Sequence, residues 1–211
     1  MRLQARARWR WVRRQLRPEL IAGIVVIIVF ALATHRRNNV WRSEVGIFGD
    51  AASKSPMKHR PLLNAGVAWR KAGNTENAAR YFEAARRLPY PTTYEIKLHY
   101  AAQTNLANIY IERRQYQAAF DLANDSLQHS ATPDTMNTMA FLMLVAGRPD
   151  QTIYLTDQIL NGNFNGGWRL RTSLWAWRGQ AFQKLGDCNN AMAAYVAIKY
   201  LKPDFQIPAC P

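Results

Sequence analysis

The chain is short of the residues from which reactive and metal-bound sites are built. Of its 211 residues, two are cysteine and four are histidine. Cys188 and Cys210 stand 22 apart and make no metal spacing. His35, His59, His99 and His129 are isolated in sequence, with no HExxH and no Cys/His cluster. Each is expected on a surface or at a helix end. GxSxG, the P-loop and GxGxxG are all absent. The acidic neighbours Glu44/Asp50 and Asp121/Asp125 have helical spacing and read as solvated faces. No catalytic residue, metal, cofactor or small-molecule substrate is expected.

Acid is scarce too, and its scarcity is uneven. The formal charge is +14 and the pI about 10.3. Residues 1–17 hold seven arginines and no acid, which leaves 21 cations against 14 acids elsewhere. Half the excess therefore sits in a short tail. Outside that tail there is no zinc spacing, no aromatic-interleaved basic motif and no recognition-helix pattern, so no nucleic-acid partner is expected. The tail itself mixes its arginines, Arg13 and Arg14 among them, with Trp9 and Trp11. That composition suits the surface of an anionic membrane, although a charge cluster that only sets topology has the same look.

One long apolar run is present. Leu20–Thr34 is fifteen residues without a charge, and Pro18 and Glu19 extend the span. This is the short end for a membrane helix; Arg36 and Arg37 can snorkel, and Trp41 suits the interface. Ala31-Leu32-Ala33 resembles a signal-peptidase site. His35-Arg36-Arg37 follows it at once, which favours an uncleaved anchor over residues 18–37. The positive-inside rule puts residues 1–17 in the cytoplasm and the rest across the membrane. In a bacterium that is an inner-membrane protein with a periplasmic domain.

Past this run the chain repeats itself. Trp175–Pro203 places Trp175, Gly179, Phe182, Gly186, Ala191, Tyr195 and Pro203 at the spacing of two antiparallel helices and a tight turn. Gly179 and Ala191 let the helices cross closely, Gly186 supplies positive φ, and Pro203 ends the second helix. Gly66, Trp69, Gly73, Ala78, Phe82 and Ala85 recur at the same relative positions. Residues 101–132 fit in part, with Arg114 where glycine is usual. Residues 133–160 are degenerate, with Thr152 at the second small position. The opening small residues Gly66, Ala107, Ala140 and Gly179 imply insertions near Pro89–Tyr100 and Asn161–Arg171.

These residues resemble the tetratricopeptide repeat family. The resemblance implies a helical-hairpin solenoid of about four units, so with the apolar run the expected fold is all-α, one N-terminal transmembrane helix followed by that solenoid. Val40–Pro56, with Phe48, Ala51 and Pro56 in register, reads as a half-repeat cap. The expected organisation is a basic cytoplasmic tail (1–17), a transmembrane helix (18–37), a linker and capping helix (38–58), the repeat domain (59–203) and a C-terminal tail (204–211). Residues 38–66 also resemble the membrane-to-repeat junction of the transmembrane-and-tetratricopeptide-repeat protein family. That family's many-helix part, associated with glycosyl transfer to proteins, is missing here, so no catalytic residue carries over.

By family position, the concave face should carry Leu63, Val67, Arg70 and Lys71, then Thr104, Asn108 and Ile111. Asn137, Phe141 and Leu144 follow, then Gln180 and Lys184. Some of these are expected only to pack between repeats. Amide, apolar and cationic side chains together suit an extended or helical peptide. The carboxylate clamp of some family members needs lysine and asparagine where Leu63 and Val67 stand, so that partner class is not expected. The expected function is a membrane-anchored scaffold, assembly factor or accessory subunit of a membrane protein complex, with anionic lipid at the tail. The alternative is a non-catalytic partner of a polytopic membrane glycosyltransferase.

A Cys188–Cys210 disulfide is also expected, with two buried thiols as the alternative. A helix from Cys188 to about Leu201 is ~20 Å long, and the nine residues from Lys202 to Cys210 can return that distance at ~3.3 Å each.

Overall fold

The computed structural model describes residues 18–162 and 167–210, and among these the chain is all-α. The tail residues Trp9, Trp11, Arg13 and Arg14 lie outside the described residues. The first helix, α1, is Pro18–Val40. From Leu20 to Ala33 every side is apolar, none of the helix's residues is buried, and it is long and apolar enough to cross a membrane.

A sharp elbow follows. Ser43 caps α2 (Glu44–Lys54) by accepting from the Gly46 amide. Asp50 on α2 takes Arg37 of α1 at 2.6 Å and Lys54 at 2.8 Å. The two cations hold its carboxyl below the usual carboxylate range, Lys54 contributing most. Phe48 and buried Ala52 put α2 against the core of the first hairpin.

Four hairpins come next: α3 (His59–Lys71) with α4 (Thr75–Arg86), α5 (Thr93–Glu112) with α6 (Tyr116–His129), α7 (Pro133–Val145) with α8 (Pro149–Leu160), and α9 (Trp168–Lys184) with α10 (Cys188–Leu201). All four turns close alike. A residue at positive φ follows the first helix: Gly73 (80°), Arg114 (58°), Gly147 (72°) and Gly186 (74°). The next amide then reaches back to a carbonyl five residues earlier, as in Asn74 N to Trp69 O at 3.0 Å and Gln115 N to Tyr110 O at 2.8 Å. This closure satisfies helix-end carbonyls. The second hairpin therefore makes it without glycine.

The degenerate third hairpin keeps its shape by a different substitution. Thr152 is buried at the small position, and its hydroxyl donates to the Ala140 carbonyl across the hairpin at 3.1 Å. The insertion after Pro89 is mostly helix rather than loop. Thr92 caps α5 by accepting from the Glu95 amide, and α5 runs 20 residues against 13 for α3. The histidines also differ from expectation. His99 is buried in the middle of a helix, and His59, though it opens α3, is buried as well. The reason is the added length of α5, which covers the start of α3.

The cores run from one hairpin into the next. Phe82 fills the first, with Ala65, Ala78, Ala85 and then Leu106 and Ile109 of α5 packed on it. Ala107, Ala119, Ala123, Met139 and Leu142 continue the stack. The last core is closed by the chain end: Phe205 and Ile207 pack on Tyr195, Ile198 and Phe182. That end is fixed by a Cys188–Cys210 disulfide, with Cα atoms 5.7 Å apart, and by Gln183 Nε2 donating to the Ala209 carbonyl at 3.1 Å.

Candidate protein-binding groove

The first helices of the hairpins stand side by side, and their shared face is concave. A hollow of about 250 Å³ opens there, lined by Arg70 of α3, Asn108, Ile111 and Glu112 of α5, Asn137, Thr138 and Phe141 of α7, and Trp177 of α9. Four successive hairpins thus contribute to one surface.

Each neighbouring pair of hairpins is joined by a polar link in or beside this hollow. Arg70 Nη2 meets Glu112 Oε1 at 2.8 Å. Thr138 Oγ1 lies 2.9 Å from the Asp134 carbonyl and 3.1 Å from Asn108 Oδ1, so its one proton is shared between two acceptors. Trp177 Nε1 donates to Asn137 Oδ1 at 3.1 Å. Beneath the hollow Thr104 and Thr135 join hydroxyls at 2.9 Å.

The Trp177–Asn137 bond fixes more than a distance. An indole N–H only donates, so the Asn137 oxygen must face it. The Asn137 amide NH₂ is thereby turned away and finds no partner among the described residues. It is a pre-oriented donor. Beside it, the Phe141 and Trp177 rings lie 4.9 Å apart at 57°, a tilted apolar shelf. Arg178, on the neighbouring face of α9, is occupied by Asp157 at 2.9 Å and rests on Trp175 and Phe182.

The residues read from sequence divide accordingly. Arg70, Asn108, Ile111, Asn137 and Phe141 come together in the hollow. Thr104 and Leu144 are buried between hairpins. Leu63 and Val67 pack on the first core. Lys71 turns to Glu44 of α2 at 2.9 Å. Gln180 and Lys184 are exposed on α9 but do not line the hollow. Glu112, Thr138 and above all Trp177 were not on the sequence list. A tryptophan at the middle of a predicted first helix was the signal available for the last. Among the described residues no group of three or more His, Cys, Asp or Glu is placed to hold a metal.

No family model matches the chain, and no curated protein matches it. A solved structure, the crystal structure of APC/C hetero-tetramer Cut9-Hcn1, is similar at 14% identity and TM-score 0.65, over 75% of this chain and 29% of that one. The chain thus spans less than a third of that protein's length. At that identity the likeness shows the fold, a tetratricopeptide-like stack of helical hairpins.

Proposed function

We propose that this chain is a single-span, membrane-anchored repeat protein that works by binding, as a scaffold, assembly factor or accessory subunit of a membrane protein complex. The carrying observation is the Asn137 amide, locked by Trp177 and left with an open donor beside the Phe141–Trp177 shelf. A donor and an apolar shelf together suit a polypeptide segment. Its main-chain carbonyl accepts from Asn137, and an apolar side chain lies on the rings. An extended segment fits better than a helix, because helix carbonyls are already paired within the helix.

The anchor is α1, whose apolar faces are bare on all sides. Charge on the two flanks favours a cytoplasmic N-terminus and an external, in bacteria periplasmic, solenoid. A disulfide between Cys188 and Cys210 supports an oxidising compartment. In this reading the arginine tail meets anionic lipid. The alternative, which residues 38–66 suggest, is a non-catalytic partner of a many-helix membrane glycosyltransferase.

Co-purification tests the reading. Full-length protein is isolated from detergent-solubilised source membranes and its companions identified by mass spectrometry. Wild type is expected to retain a membrane-protein companion at fixed ratio. A Phe141→Ser, Trp177→Ala double variant should lose it while Tyr154→Ala, on the exposed side of α8, keeps it. Equal retention by both variants would remove the groove from the interface.

A further inference from the structure

Three of the four histidines, far apart in sequence, meet at the joint between the first and second hairpins. His59 opens α3, His99 lies in α5, and His129 closes α6. The His59 and His99 ring centroids are 6.1 Å apart. Tyr90, from the α4–α5 connection, lies over His99 at 4.3 Å. Tyr100 meets the same ring edge-on at 4.9 Å, and His129 stacks on Tyr100 at 5.3 Å.

His59 and His99 are 3% and 6% exposed. The His59 ring donates to the Leu88 carbonyl. Its Nε2, like His99 Nδ1, is buried with no partner among the described residues. Those bare nitrogens are where a second proton would go, and an N–H there would face no acceptor. The charged groups around the pair do not supply one. Glu95 of α5 faces His59 but accepts from the Thr92 hydroxyl at 2.8 Å. Asp125 of α6 faces His99 but holds Gln103 at 2.6 Å and exposed His129 at 3.2 Å. Arg86 of α4 faces His99 with the wrong sign, and each imidazole would repel the other. Of the tyrosines in the cluster, Tyr100 is the one that burial acts on, pushing its hydroxyl up to about 12.

We propose that this cluster is an acid-sensitive joint. Protonation of His59 and His99 lifts the Tyr90 connection and loosens the first hairpin from the second. Groove geometry is then coupled to pH, because Arg70 sits on one side of this joint and Glu112 on the other. The loosening itself does not depend on what the groove binds.

The sign follows from burial. Desolvation lowers both imidazoles below the ordinary 6.5. A group depressed in the folded state favours folding at pH above 6.5. That contribution is lost as pH falls below 6.5 towards the folded-state value.

Hydrogen exchange of the full-length protein in detergent, at pH 8 and pH 5 and corrected for intrinsic rate, reads the effect. Amides at the start of α3 and over residues 93–103 are expected to open more at pH 5, by up to about 30-fold per imidazole. Those of α9 and α10 should not. A His59→Phe, His99→Phe variant should lose the response. An unchanged joint in wild type, or an acid response retained in the folded variant, would overturn the proposal. If the variant fails to fold, the wild-type contrast between the joint and α9–α10 decides alone.

Discussion

Gly179 lies directly beneath the ring of Tyr195. A Cβ built on Gly179 would stand 2.6 Å from Tyr195 Cε1 and 2.8 Å from Cζ. The ring has little freedom to move away, because its hydroxyl donates to Gln183 Oε1 at 2.7 Å. Gly66 has the same relation to Phe82 in the first hairpin. Gly179→Ala should therefore destabilise by about 1–3 kcal/mol from overpacking, less the ~1 kcal/mol that alanine gains in a helix. Gly49→Ala in α2, where a Cβ meets nothing, should be stabilising instead. Denaturant unfolding of the two variants beside wild type checks the opposite signs. A stabilising Gly179→Ala would mean that the crossing is not close.

Arg114 occupies the left-handed turn position that glycine holds in the other three hairpins. A side chain there costs about 1 kcal/mol or more. Arg114→Gly should raise the melting temperature by roughly 2–4 °C for a chain this size. No rise would show that the Arg114 side chain offsets its backbone strain by contacts elsewhere.

The repeats were legible in the sequence because their devices are local. A glycine under an aromatic ring and a positive-φ turn both leave fixed spacings. Arg114 and Thr152 broke the pattern without breaking the geometry: one tolerates a left-handed φ, the other satisfies its hydroxyl on the Ala140 carbonyl. The groove was half legible. Position alone cannot separate Asn137, with its open amide, from Thr104, which is spent on Thr135. The histidine cluster was not legible at all. Its members come from α3, α5 and α6, and the insertion expected near Pro89–Tyr100 became mostly helix, in which His99 is buried.

Reducing Cys188–Cys210 should free the chain end. The loop between them has a sequence separation of 22, for which chain entropy gives about 3 kcal/mol. The loss should be local. Amides of α10 should exchange faster as Phe205 and Ile207 leave the last core. Those of α3–α6 should stay unchanged. Hydrogen exchange with and without reductant measures this, and uniform loosening along the stack would contradict it.

Topology is tested by reporters active only outside the cytoplasm. Fusions after residues 60 and 211 should both be active. Inactivity at both sites would reverse the orientation proposed from the charge asymmetry about α1.

Site-specific photo-crosslinking in intact cells tests the groove most directly. A photoreactive phenylalanine analogue replaces Phe141 on the shelf, and the same analogue replaces Tyr154, which is exposed outside it. The account predicts a discrete covalent adduct with one protein species from position 141 and none of that species from position 154. The same adduct at equal yield from both positions, or from position 154 alone, would contradict it.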